Sequence, residues 1–276
     1  VAVAPAPDDV QLALHAELLA ALPDSRFVRF DLDPGSFERV RTLPGVAAAL
    51  LTRHPWKGLR WVHALAADPA DPDHVAAGVD LVLELVAAAG EGDPVRGITV
   101  PRGGMPLVPE ALRPAEVSDW DCWATLERPA VAVPDGVVED LPADDPRLKA
   151  LLDLASPDAP YPAGDPRVVR WAVIADPDGG LAGTGGLACM VAVTRQRSGA
   201  AHLNDVATHP QRRGRGLARL LCAAVTRDAL DAGAPAVTLD AYADNIAAAR
   251  LYTSLGFVRE RGSTTGRLPE GVALDA

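Results

Sequence analysis

The sequence predicts a mixed α/β fold, and three observations carry that prediction. Several stretches place apolar residues at spacings of three and four, as amphipathic helices do. Short apolar or alternating runs bounded by Pro and Gly read as strands. In the C-terminal half the two kinds alternate (strand, helix, strand, helix, strand), which is the order of an α/β or α+β layer structure. With 276 residues, 49% of them hydrophobic, the chain can build one large core or two modest ones.

The elements follow in order. Asp9–Leu22 is a predicted helix, because Val10, Leu14, Leu18 and Leu22 share a face and Pro23 stops it. Arg26–Leu32 alternates as a short strand would. Phe37–Thr52 reads as a helix with a break at Pro44-Gly45, and Leu59–Leu65 as a strand. In Asp73–Ala89 the residues Val75, Val79, Val82, Leu83 and Val86 line up, and Gly90 follows as a stop. Arg96–Val100 is a short strand and Pro101–Pro114 an irregular segment. Glu116–Glu127 is expected to be helical and carries Trp120 and Trp123, which read as core or interface residues. Pro129–Pro146 holds four prolines and is the expected boundary between domains 1–129 and 130–276, with a strand inside Val131–Leu141. Beyond it come a helix, Asp145–Leu154, and a proline-rich loop, Ser156–Pro166. Strands Val168–Ala175 and Leu181–Thr194 are joined by the turn Asp176-Pro177-Asp178-Gly179-Gly180. The chain then runs through a strand, Ala200–Ala207, a helix from Gly214 to about Leu230, a strand, Ala236–Leu239, a helix, Asp244–Leu255, and a closing strand from Phe257.

Composition removes several function classes. The formal net charge of −11 argues against a general nucleic-acid binder. Lys57 and Lys149 are the only lysines, so arginine supplies nearly all the positive charge. Cys122, Cys189 and Cys222 form no CxxC pair or Cys/His cluster, so neither a metal site nor a disulfide framework is expected, and a cytoplasmic setting is the simplest. Val1–Pro7 lacks the basic and apolar regions of a signal peptide. The longest apolar runs, such as Val46–Leu51, are too short to span a membrane.

The chemistry concentrates at one strand-to-helix junction. Thr208-His209-Pro210-Gln211-Arg212-Arg213-Gly214-Arg215-Gly216 precedes a helix whose stripe is Leu217, Leu220, Leu221, Ala224 and Val225. A helix start presents unpaired N–H groups and a partial positive charge. Glycines at 214 and 216 allow a tight turn and close approach of a ligand to the backbone. Three arginines there oppose the helix dipole unless an anion balances them; the alternative is a loop whose arginines splay into solvent. Together these features predict an anion site. Nucleotide motifs do not fit: Gly216 is followed by Leu217 where a phosphate-binding loop needs Lys, and Arg219 stands where a dinucleotide fingerprint needs Gly or Ala.

Gln211-x-x-Gly214-x-Gly216 resembles the Q/R-x-x-G-x-G/A signature of the GNAT superfamily of N-acetyltransferases. Asp244-Asn245-x-x-Ala248-x-x-Leu251-Tyr252-x-x-Leu255-Gly256-Phe257 is similar to the family's second signature. The resemblance covers Val131–Arg267, and it implies a GNAT fold with a mixed central sheet in the C-terminal half. It implies acetyl-coenzyme A as cosubstrate, with no metal. The pyrophosphate would be held by backbone N–H groups around Gln211, Arg212, Arg213, Gly214, Arg215, Gly216 and Leu217. Backbone contacts to the pantetheine arm would come from Val206, Ala207 and Thr208, where one N–H would polarise the thioester carbonyl. Asn245 would also touch pantetheine, or else serve as a second helix cap beside Asp244. Tyr252 would protonate the departing thiolate, or else pack as a core aromatic.

The base that deprotonates the amine is open between Asp205 and His202. They have opposite parity, so a regular strand would aim only one of them into the cleft. His209 reads as part of the turn. Ser156–Pro166, with Tyr161, lies where the family lines its acceptor site; a solvated connection is the alternative.

The expected activity is therefore transfer of an acetyl group to a small-molecule or peptide amine by direct attack in a ternary complex, with neither nucleic acid nor membrane as partner. A non-catalytic acyl-coenzyme A sensor is the alternative. In residues 1–129 the order Leu59–Leu65, Asp73–Ala89, Arg96–Val100 resembles the second half of the same fold. Asp68-Pro69-Ala70-Asp71-Pro72 replaces the glycine loop there, and those acids would repel a pyrophosphate. A degenerate half-copy, unable to hold the cosubstrate, is the expectation.

Overall fold

The computed structural model describes residues 7–51, 59–89, 93–176, 178 and 180–269. Residues 1–6, Thr52, Lys57, Gly90, Pro177 and Gly179, all used above, lie outside that set. In chain order the main elements are α1 (Pro7–Ala21), β1 (Phe37–Leu43), β2 (Val46–Leu51), β3 (Trp61–Ala66), α2 (Pro72–Ala88), β4 (Gly97–Pro101), β5 (Val117–Thr125), β6 (Glu139–Leu141), α3 (Pro146–Ala155), β7 (Val168–Ala175), β8 (Leu187–Arg195), β9 (Ala201–Thr208), α4 (Leu217–Asp231), β10 (Val237–Tyr242), α5 (Ile246–Ser254) and β11 (Val258–Arg267). They divide into two compact units. One takes the described residues up to Cys122 together with Tyr242–Asp244 and the chain from Arg259. The other takes Trp123–Ala241 and Asn245–Val258.

In the first unit β1, β2 and β3 form an antiparallel meander, α2 crosses over, and β4 pairs parallel to β3; β11 then pairs antiparallel to β4. Phe37–Leu51, expected to be helical, is a hairpin. Proline at 44 and a left-handed Gly45 (φ 75°) close a two-residue turn in which Leu43 pairs with Val46. The period of two was hidden because both faces of β2 are apolar. Ala47, Ala49 and Leu51 pack toward α1, whereas Val46, Ala48 and Leu50 pack toward α2. The strand expected at Arg26–Leu32 is a single wide helical turn, Phe27–Asp31, closed by the N–H of Leu32 donating to the carbonyl of Phe27 at 2.9 Å. Phe27 and Val28 are both buried, which an alternating strand would not allow. Glu116–Glu127 is also not a helix. It forms β5, where Trp120 and Trp123 have opposite parity. Trp120 stacks on Tyr242 at 4.0 Å between ring centroids.

In the second unit β6, β7, β8 and β9 are antiparallel neighbours, and β10 joins β9 in parallel across α4. Of the strand expected in Val131–Leu141, only Glu139–Leu141 pairs. The sheet has a helix layer on each face. Trp171, Val173, Met190 and Ala192 meet Leu148, Leu151 and Leu152 of α3. Ala172, Ile174, Cys189, Val191 and Leu203 meet Leu217, Leu221, Cys222 and Val225 of α4, with Tyr252 of α5. The predicted stripe of α4 therefore faces the sheet, and this packing sets where the helix begins.

Leu221 is fully buried in that layer. Leu221→Ala is expected to lower stability by about 2–5 kcal/mol, the range for a buried leucine whose cavity relaxes only partly. Urea denaturation followed by circular dichroism measures it.

Candidate active site

The site is built on the outer half of β9. The parallel ladder between β9 and β10 runs only from Ala201↔Val237 through Leu203↔Leu239. Beyond it β9 continues to Thr208 outside its register with β10. On the β8 side, Asn204 pairs with Ala192 and Ala207 with Met190. Two residues, Asp205 and Val206, therefore oppose the single Val191. This is a β-bulge, and Asp205 takes its strain as a non-glycine residue at φ 50°. Aspartate tolerates that conformation better than most residues.

The bulge resets the parity on which the choice between the two base candidates turned. His202 precedes it, in the paired half of the strand. It is 2% exposed, and its Nδ1 lies 2.9 Å from Thr238 Oγ1. Asp205 is half-buried, and its Oδ2 accepts the backbone N–H of Tyr161 at 3.2 Å. Tyr161 is itself buried against α3 and β7, so the Ser156–Pro166 loop is pinned rather than solvated at that point. Burial raises the Asp205 carboxyl to about 6, and the nearby Asp165 carboxylate adds to the rise against the opposing effect of the Tyr161 N–H. At neutral pH Asp205 is an ionised carboxylate of unusual basicity.

The loop after β9 is narrower than the sequence implies. His209 Nδ1 accepts the N–H of Gln211, the N–H of Arg212 donates to His209 O, and that of Arg213 to Pro210 O. A short turn thus uses those three amides. Gly214 and Gly216 both have φ 77°, and a Cβ at either would meet nothing within 4 Å. Gly216 is the N-cap of α4 and supplies no side-chain cap, so the helix starts with its first amides uncapped by any side chain. Gly214, Arg215, Gly216 and Leu217 form the remaining cradle. It faces open space, a geometry that fits a phosphate group.

The arginines have protein partners. Arg212 forms a two-pronged pair with Asp176 at 2.7 and 2.9 Å. Arg215 reaches Asp178 at 2.5 Å, and Arg213 donates to the carbonyls of Thr208 and Ala155. Acidic groups in the β7–β8 loop therefore balance part of the charge that the sequence assigns to an external anion. Asp176 was legible only as a turn residue, because its partner lies 36 positions away.

Tyr252 is buried in α5, beside Trp123 (6.4 Å between centroids) and Phe257 (5.8 Å). Burial drives its hydroxyl well above the ordinary tyrosine range, and the nearby Cys222 and Cys189 thiols push the same way, so it stays protonated. Cys189 Sγ lies 3.3 Å from Thr208 Oγ1, which ties this group to the end of β9. Burial also raises Cys189 to about 11. A sulfur in these surroundings holds a proton more tightly than in water. The sequence carried no signal that the two cysteines stand beside Tyr252. Asn245 is exposed, and its Oδ1 caps α5 by accepting the N–H of Ala248 at 3.0 Å. The cap does not use its Nδ2. Among the described residues no cluster of His, Cys, Asp or Glu could hold a metal ion, and no helix is long and apolar enough to cross a membrane.

A parallel strand pair whose ladder ends early, with an uncapped, glycine-flanked helix start beside it, defines an α/β protein with a site suited to an anion. Residues 138–257 match the sequence profile of the Acetyltransferase (GNAT) family. That match supports GNAT superfamily membership for the second unit and N-acetyltransferase activity at the level of the family. Solved structures share the fold. A GCN5-related N-acetyltransferase from Sphaerobacter thermophilus is 18% identical, with 99% of this chain and 97% of that one covered at a TM-score of 0.53. A GNAT-family acetyltransferase from Colwellia psychrerythraea is 13% identical, with 97% and 98% covered at 0.51. A GCN5-related N-acetyltransferase-like protein from Streptococcus suis is 15% identical, with 94% and 100% covered at 0.50. Sequence comparison with curated proteins gives no match.

The raised Asp205 carboxyl has a consequence for stability. A carboxyl whose folded value (about 6) exceeds its ordinary 3.8 binds more protons folded than unfolded. Its contribution to stability therefore falls as pH rises from about 4 to about 6, and it stays unfavourable above that. Asp205→Asn is expected to stabilise the protein at pH 8 by about 1 kcal/mol, discounted for partial exposure, and to bring no gain at pH 4. Thermal midpoints at the two pH values provide the test.

Proposed function

We propose that the chain transfers the acetyl group of acetyl-coenzyme A to an amine by direct attack, with the pantetheine arm lying along the open edge of β9. The single observation that carries the reading is the loss of β10 pairing beyond Leu203, next to the uncapped start of α4. The thioester supplies an activated acyl carbonyl. The N–H groups of Gly214 to Leu217 hold the pyrophosphate. Backbone donors at Val206, Ala207 and Thr208 bind the arm, and one of them steadies negative charge on the carbonyl oxygen. The Asn245 amide donates to the arm through the nitrogen its cap leaves unused. Asp205 accepts the proton of the attacking amine, and His202 serves the sheet. Tyr252 gives a proton to the leaving sulfur. Burial keeps that hydroxyl protonated and so available as the donor. The acceptor is a small-molecule or peptide amine. Three buried free cysteines favour a reducing setting such as the cytoplasm.

The first unit we read as a degenerate half-copy. Its β3–α2–β4 crossover follows the plan of β9–α4–β10, and its parallel ladder likewise spans three pairs, Trp61↔Gly97 to His63↔Thr99. At the start of α2, however, Asp71 caps the helix by accepting the N–H of Asp73. A capped, acidic helix start does not bind a pyrophosphate.

Titration calorimetry with acetyl-coenzyme A is expected to give one site per chain. Two sites would refute the half-copy reading, and none would refute the function. In a free-thiol assay over a panel of amines, Tyr252→Phe is expected to lower kcat about 10–100-fold with little change in KM for acetyl-coenzyme A. A binding protein without catalysis would release no thiol with any amine. Wild-type kcat/KM should rise tenfold per pH unit up to about pH 6 and then level, and that limb should vanish in Asp205→Asn.

A further inference from the structure

We propose that Asp176, in the loop after β7, is a positioning residue that holds Arg212 as a prop behind the cofactor loop and leaves phosphate binding to the backbone amides of Gly214 to Leu217. The inference rests on the acetyl-coenzyme A reading above. Arg212 Nε donates to Asp176 Oδ1 at 2.7 Å and Nη2 to Oδ2 at 2.9 Å, the fork-on-fork arrangement that fixes direction as well as distance. The same carboxylate accepts the N–H of Gly180 at 2.6 Å and of Asp178 at 3.3 Å. Four donors fill its two oxygens, and its side chain is 0% exposed.

The Arg212 guanidinium lies in van der Waals reach of the turn at Gly180, 3.4 Å from where a Cβ would stand. The Arg212 hydrogen bonds hold the Asp176 carboxyl down to about 2, so the pair stays charged throughout the working pH range. β7 and β9 both run antiparallel to β8, so their C-terminal ends lie at one end of the sheet. The pair there straps the β7–β8 loop to the turn Pro210–Arg212, from which Gly214 and Gly216 depart. A guanidinium with a carboxylate on both of these nitrogens has little net charge left for a phosphate. Its direction is what the loop uses.

The test is a double-mutant cycle on the affinity for acetyl-coenzyme A, with S-acetylpantetheine, which lacks the pyrophosphate, as the second probe. Asp176→Ala and Arg212→Ala are each expected to weaken acetyl-coenzyme A binding about tenfold, the double variant no further, and Asp176→Glu to recover part of the loss. Binding of S-acetylpantetheine should stay within twofold of wild type in all of them. A general loss of structure would weaken both probes alike, and that result would overturn the proposal. Asp176→Asn, which keeps the shape, guards against misfolding, and circular dichroism reports it. If Arg212→Ala weakens binding while Asp176→Ala leaves it unchanged or tightens it, Arg212 is a direct phosphate ligand and the proposal fails. If wild type binds no acetyl-coenzyme A, the functional reading fails, and this inference with it.

Discussion

The parallel ladder between β9 and β10 ends after Leu203 and Leu239, and the rest of the second unit is arranged around that ending. A strand that loses its neighbour leaves backbone donors and acceptors unpaired, at a cost unless water or a ligand takes them. The bulge at Asp205 and Val206 adds to the departure by turning the strand as it leaves. The two helix layers keep the opening in place. Leu217 and Leu221 clamp α4 to β8 and β9 from one face, and α3 with the pinned Tyr161 loop closes the other. The end of the ladder is thus held by a packed core on both sides.

Charge is distributed by the same logic. Two groups near the outer half of β9, one toward each face of the sheet, are shifted by their surroundings. Asp205, on the side of the Tyr161 loop, is a carboxylate made more basic by burial. Tyr252, on the side of α4, is a hydroxyl kept protonated by burial. Neither shift needs a formal charge partner, because desolvation is the first cause of both. At the loop the opposite holds: Arg212 and Asp176 keep each other charged through direct hydrogen bonds, and there the interaction sets geometry.

The two units show how one topology can serve different ends. β3–α2–β4 and β9–α4–β10 are both strand–helix–strand crossovers with short parallel ladders. They differ at the helix start. Asp71 caps α2 with its own carboxylate, whereas Gly216 leaves α4 without a side-chain cap. The cap has already given one of the helix-start donors a partner, and its carboxylate repels an anion from the rest.

The amino-acid sequence by itself determined the site's local parts. The strand–glycine loop–helix junction, the stripe of α4 and the cap that Asn245 gives α5 were legible because they depend on neighbours a few residues away. So were α1, α2 and α3, whose apolar spacing and flanking Pro and Asp residues act locally. Long-range structure decided the rest. Val46–Leu51 is a strand because two cores compete for its two faces, and a run apolar on both faces carries no period. β5 is a strand because Trp120 and Trp123 are claimed by rings far along the chain, at Tyr242 and Tyr252. The choice between His202 and Asp205 was beyond parity counting, since a bulge inserts one residue and shifts the count. The arginines of the loop read as three free cations until folding brought Asp176 and Asp178 to them. Contacts across 36 or more positions leave no pattern in a single sequence, so they become visible only when the chain is folded.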